Sequence, residues 1–70
     1  MATGVIRWFH EGRGYGFIDA DDPRETPEPI YVHHTQILGR GYRSLRAGQC
    51  VKFHLRIAEG HPRAVEVEAL

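Results

Sequence analysis

Seventy residues allow one domain, spanning 1–70, and nine basic against nine acidic side chains leave it formally neutral. A domain of about 60 residues buries only roughly 60% of its unfolded surface, so every apolar side chain left outside needs a reason. Neutrality excludes a broad basic field, the lone Cys50 excludes an intrachain disulfide, and no apolar run reaches membrane-spanning length. A reducing, cytoplasmic setting without a membrane partner is the expectation. The charge is segregated nonetheless: Asp19, Asp21, Asp22, Glu25 and Glu28 gather in one segment, while Arg7, Arg13, Arg40, Arg43 and Arg46 lie outside it.

Residues 5–10 begin the strand-like segments. Residues 15–20 follow, with Tyr15, Phe17 and Asp19 on one face and Gly16, Ile18 and Ala20 on the other. Residues 21–29 are acidic and carry Pro23, Pro27 and Pro29, which reads as an exposed loop. In residues 30–33, Ile30 and Val32 oppose Tyr31 and His33. Residues 35–38 suit one helical turn capped by Thr35, and Gly39, Gly41 and Gly48 leave the span to residue 47 mostly loop. Residues 51–57 alternate, placing Val51, Phe53, Leu55 and Ile57 inward and Lys52, His54 and Arg56 outward. Residues 59–62 form a turn, and residues 63–70 alternate again with Val65, Val67 and Ala69 on one side.

Five short strands without a helical crossover predict an all-β protein, an antiparallel sheet curled into a barrel to enclose its apolar faces. The predicted core is Ile6, Phe9, Ile18, Ile30, Val32, Ile37, Leu45, Val51, Phe53, Leu55 and Val67.

If Ile18, Ile30 and Val32 point inward, then Tyr15, Phe17, Tyr31 and His33 point outward together. Strict alternation sets Trp8 beside Ile6, and a bulge in the first strand would turn it out to join them. The rings are flanked by Arg7 and Arg13. Contiguous exposed apolar patches mark interaction sites, and rings beside guanidinium groups suit unstacked nucleobases and their phosphates. Gly14 and Gly16, lacking side chains, would leave the ring faces clear for a base. From residues 15–20 alone, the opposite facing with Tyr15 and Phe17 in the core stays open; the repeat of the pattern in residues 30–33 argues against it.

His33 and His34, with His10 elsewhere, raise the question of a metal. Adjacent strand residues face opposite sides and no second ligand set accompanies them, so neither metal nor cofactor is expected. Cys50 has no evident base beside it. Three classes of function compete: a single-strand nucleic-acid binder, a protein-interaction module on the same barrel, and an enzyme. For the last, nothing organises the carboxylates beside a nucleophile or base. A duplex reader would need a recognition helix.

The chain closely resembles the bacterial cold-shock proteins, small OB-fold barrels, over essentially its whole length. Gly4-Val5-Ile6-Arg7-Trp8-Phe9 resembles the family's opening strand. Arg13-Gly14-Tyr15-Gly16-Phe17-Ile18 resembles its first ribonucleoprotein motif, and Ile30-Tyr31-Val32-His33-His34-Thr35 its second. Gly41-Tyr42-Arg43-Ser44-Leu45 and Gly48-Gln49-Cys50-Val51-Lys52-Phe53 resemble its loop and fourth strand. An RNA-recognition-motif domain shares the first motif but would require helices.

The resemblance implies a five-stranded barrel with a short helical turn after the third strand. It implies binding of pyrimidine-rich single-stranded RNA and DNA by a monomer, with no duplex-specific binding. Stacking would come from Trp8, Tyr15, Phe17, Tyr31, His33 and Tyr42, and charge from Arg7 and Arg13; His10, His34 and Arg63 complete the candidate site. The expected role is an RNA chaperone or regulator of transcription or translation. Four departures stand out. His34 replaces a phenylalanine with a smaller, titratable ring, and His10 replaces an asparagine. The loop before the third strand is longer, acidic and lacks the family's aspartate, and the turn around Gly60 lacks a basic residue.

Overall fold

A computed structural model describes residues 1–39 and 44–70. Five strands, β1 (Ala2–His10), β2 (Tyr15–Ala20), β3 (Ile30–His33), β4 (Cys50–Ala58) and β5 (His61–Ala69), close into a barrel in the order β1-β2-β3-β5-β4. Among the described residues, β1–β2, β1–β4, β2–β3 and β4–β5 pair antiparallel as expected. The closing seam differs. Tyr31 of β3 lies beside Arg63 of β5 in parallel, continued by a parallel bridge between Ile37 and Val67.

The interior is built from the alternating inward residues of every strand. Ile6, Ile18, Ile30, Val32, Val51, Phe53 and Val67 are fully buried, each contributing about 1.5–3 kcal/mol of transfer free energy. Ala2, Ile37, Leu45 and Ala64 complete this core, while Phe9 and Leu55, expected within it, pack half-buried against its edge. No polar or charged side chain is buried among the described residues. Chemistry at ionisable groups therefore belongs to the surface.

Two inward assignments need correction. Ile57 is 66% exposed. Only residues 50–53 of β4 pair with β1, so the end of the strand pairs with β5 alone and projects past the barrel. In β5, Pro62, Ala64 and Val67 face inward, with Val65 half-buried and Ala69 exposed. The alternation breaks because Glu66 adopts φ 52° and the register slips opposite Phe53, a bulge that shifts the inward phase by one residue. The hairpin itself turns on two residues, Glu59 and Gly60, both at positive φ, as the favoured two-residue hairpin turn requires.

A single 3-10 turn, His34–Gln36, follows β3. Its cap is His33 rather than Thr35: His33 Nδ1 accepts the Thr35 backbone N–H at 3.3 Å and lies 2.8 Å from Thr35 Oγ1. Residues 21–29 form the expected loop, pinned by Asp22. Its carboxylate accepts from the Arg24 backbone N–H at 3.0 Å and from Arg24 Nε and Nη2 at 3.1 Å, which holds the Asp22 carboxyl below the usual carboxylate range. No helix among the described residues is long and apolar enough to cross a membrane.

Candidate nucleic-acid interface

The bulge that would turn Trp8 outward is present in β1. Ile6 pairs with Ile18 and Trp8 with Phe17, so the register slips by one between them. The extra residue turns Trp8 outward, 39% exposed, while Ile6 stays in the core. Trp8 thereby meets the outward rings of β2.

Those rings form one contiguous run. The Trp8 centroid lies 5.5 Å from Tyr15 and 5.3 Å from Phe17. Tyr31 lies 6.0 Å from Tyr15, 5.9 Å from Phe17 and 6.4 Å from His33. His34 extends the run at 4.5 Å from His33. The pairing explains this grouping, because Phe17 sits opposite Tyr31 and Tyr15 opposite His33, and directly opposed residues share one face of a sheet. Spacings of this size are those of favourable edge-to-face and offset pairs, so the rings hold one another in place while each remains at least partly open to solvent.

The glycines between the rings make room for the protein's own atoms, contrary to the expectation that they clear space for a base. Gly14 and Gly16 are both buried. Gly14 stands at φ 72°, and a Cβ there would collide with the His34 ring. At Gly16 a Cβ would run into the Trp8 carbonyl oxygen and stand 2.8 Å from Phe9 Cα. Gly16 is thus what lets β2 approach β1 closely enough for Phe9 to pack beneath the platform.

The charged candidates are distributed differently. Arg7 Nε lies 3.1 Å from both carboxylate oxygens of Asp19, so its charge is offset within the protein. Arg13 is exposed in the β1–β2 turn. His10 is engaged in that turn, where its Nδ1 accepts the Arg13 N–H at 3.1 Å, and its ring is not part of the run of rings. Arg63 Cζ sits 5.5 Å from the Tyr31 centroid, within reach of a cation–π contact. Tyr42 lies outside the described residues. Arg56 was legible only as an outward residue of its strand, yet it stands directly across from Arg63. No sequence signal joins these two arginines; their pairing depends on where the hairpin turns.

Two clefts flank Arg63. One, of about 510 Å³, is lined by Phe17, Tyr31, Pro29, Pro62, Glu28 and Glu59 among others. The second, of about 520 Å³, carries Tyr31, His33, Arg56 and Ile57. No group of three or more His, Cys, Asp or Glu side chains among the described residues could hold a metal ion.

Comparison with known proteins agrees with this architecture. The family model for the 'Cold-shock' DNA-binding domain matches residues 2–70. Cold shock-like protein CspB of Yersinia pestis is 38% identical over 68 residues, covering 97% of this chain and 93% of that protein. Cold shock-like protein CspC of Escherichia coli K12 is 36% identical over 67 residues, covering 96% and 93%. Among solved structures, drosophila Unr CSD456 superposes with a TM-score of 0.75 at 25% identity over 99% of this chain, which spans only 26% of that longer one. Barrel order, outward rings and these matches lead to one assignment: the chain belongs to the cold-shock domain family.

Proposed function

We propose that this protein binds single-stranded RNA and DNA by stacking bases on Trp8, Tyr15, Phe17, Tyr31 and His33, with a preference for pyrimidines. The observation that carries the reading is the unbroken run of outward rings across β1, β2 and β3. A marginally stable domain of this size gains little by leaving such rings outside, and each base stacked on one is worth about 1–3 kcal/mol. The family model's description, a DNA-binding domain, supports a nucleic-acid partner.

The mechanism is mass action. Rings that accept unstacked bases favour the open form of a weak hairpin over its paired form, so binding shifts the equilibrium without an energy source. The protein would act as an RNA chaperone or as a regulator of transcription or translation, working as a cytoplasmic monomer. A duplex offers no free base faces to such a surface.

A hairpin RNA with a short, weak stem, labelled with a fluorophore and a quencher at its ends, tests this. The protein is expected to open it saturably without nucleotide triphosphate, and the Phe17→Ala/Tyr31→Ala double variant to fail while still folded. Equal opening by the double variant would remove the ring face from the mechanism. No opening and no strand binding by either protein would favour a protein partner for the barrel.

A further inference from the structure

The outer face carries a row longer than its rings. Trp8 lies opposite Phe17, Phe17 opposite Tyr31, Tyr31 opposite Arg63, and Arg63 opposite Arg56. Neighbouring strands are about 4.8 Å apart, so this rung runs about 19 Å across the sheet. Its first three members are rings and its last two are guanidinium groups. Because Arg63 already touches the Tyr31 ring, the change from rings to cations is continuous.

Like charges placed directly opposite each other are destabilising. The same two strands show the usual arrangement elsewhere, where Lys52 faces Glu68 and their charged ends lie 3.5 Å apart. Arg56 and Arg63 have no such relief: among the described residues neither is in an ion pair. Both line the cleft of about 520 Å³ between β3 and the β4–β5 hairpin, and no carboxylate lines it with them. The neighbouring cleft, by contrast, carries Glu28 and Glu59. An anion arriving at this end of the rung is attracted to one side and repelled from the other.

We propose that Arg56 and Arg63 form a phosphate clamp, holding one phosphodiester of the strand whose bases stack on Trp8, Phe17 and Tyr31. The clamp rests on the single-strand reading of the ring face and gives the strand a path off it, over the hairpin and away from the acidic residues of 21–29. Guanidinium groups suit this role because their planar donors match phosphate oxygens and stay charged at any physiological pH. Arg63, packed against Tyr31, ties the clamp to the platform. Arg56 supplies the second charge from the outermost strand of the rung.

The test uses hexathymidylates, each with one phosphodiester replaced by an uncharged methylphosphonate. They are titrated against the wild-type protein and Arg56→Gln, following Trp8 fluorescence, with the unmodified strand measured at two salt concentrations. One linkage is expected whose neutralisation weakens the wild type more than the variant, which keeps Arg63. The slope of log K against log salt should be shallower in the variant by up to about 0.7, the value for one single-strand phosphate. Between 50 and 200 mM salt, the wild type then loses up to about 2.6-fold more affinity than the variant. Arg56→Gln relieves a like-charge pair, so the fold should persist, and a melting curve checks that. Identical linkage profiles and slopes in two folded proteins that both bind would overturn the clamp alone. Absence of binding by the wild type would overturn the single-strand reading and the clamp together.

Discussion

Replacing Gly16 by alanine separates two explanations of the glycine-rich second strand. A Cβ at this position points inward, into the Trp8 carbonyl oxygen, 2.8 Å from Phe9 Cα and 2.9 Å from Phe9 Cδ2. Two of those three atoms are backbone of β1 and cannot yield by a rotamer change, so strand separation must absorb the clash. Overpacking of this kind costs about 1–3 kcal/mol, against which the reduced entropy of the unfolded chain returns about 0.4–1 kcal/mol. A domain of this length has about 3.5–10 kcal/mol in all. The net cost is then up to about 2.6 kcal/mol, which lowers Tm by up to about 10–20 °C at about 4–8 °C per kcal/mol. Gly12→Ala is the comparator, because its Cβ meets only the His10 ring at 3.4 Å. Thermal unfolding followed by far-ultraviolet circular dichroism, with oligothymidylate affinity measured well below both transitions, supplies the readout. If Gly16→Ala melted like Gly12→Ala but bound the strand much more weakly, the glycine would be clearing space for a base and the packing argument would be refuted.

Other perturbations probe the face directly. Phe17→Ala removes the ring between Trp8 and Tyr31; at about 1–3 kcal/mol per stacked base, thymidylate affinity should fall roughly 5- to 150-fold, and a loss under twofold in a folded variant would contradict the stacking role. Asp19→Asn releases Arg7 from its carboxylate, so strand binding should tighten at low salt and its salt slope steepen by about 0.7; an unchanged slope would mean Arg7 contributes no charge to the complex. The Asp22 carboxyl is held low by the Arg24 side chain and then by the Arg24 backbone N–H. A lowered value stabilises the ionised, folded loop above the ordinary carboxylate range, and that contribution disappears as pH falls through the lowered value. Amide exchange at Arg24 should therefore lose protection in acid in the wild type, whereas Asp22→Asn should lack that acid-dependent step; identical profiles would contradict the assignment.

How much of this was legible beforehand depends on whether a feature is local. The strands β2 and β3 could be bounded from sequence because alternation runs unbroken from Tyr15 to Ala20 and from Ile30 to His33, with prolines separating them. The outward turn of Trp8 was legible only as a conflict: strict alternation set it beside Ile6, away from the outward rings of β2 and β3, and a bulge resolves it. Val67 was legible as an inward residue of β5 but the phase before it was not, since a bulge with positive φ at Glu66 sets Pro62 and Ala64 inward in place of Val65, and glutamate does not announce that conformation. Ile57 misled for a related reason, because alternation reports which way a side chain points but not whether anything lies beyond it. The roles of Gly14 and Gly16 required knowledge of what stands opposite them. The parallel approach of β5 to β3, which brings Arg63 and Arg56 onto the rung of rings, joins residues far apart in the chain and leaves no local trace.

The central claim is that Trp8 and its neighbouring rings take unstacked bases, and quenching of Trp8 fluorescence by a short oligothymidylate tests it most directly. A matched oligoadenylate and a duplex of the same length serve as comparators. Saturable quenching by the thymidylate, weaker with adenines and absent with the duplex, is the predicted result. No quenching at micromolar strand concentrations, with the protein shown to be folded, would contradict it.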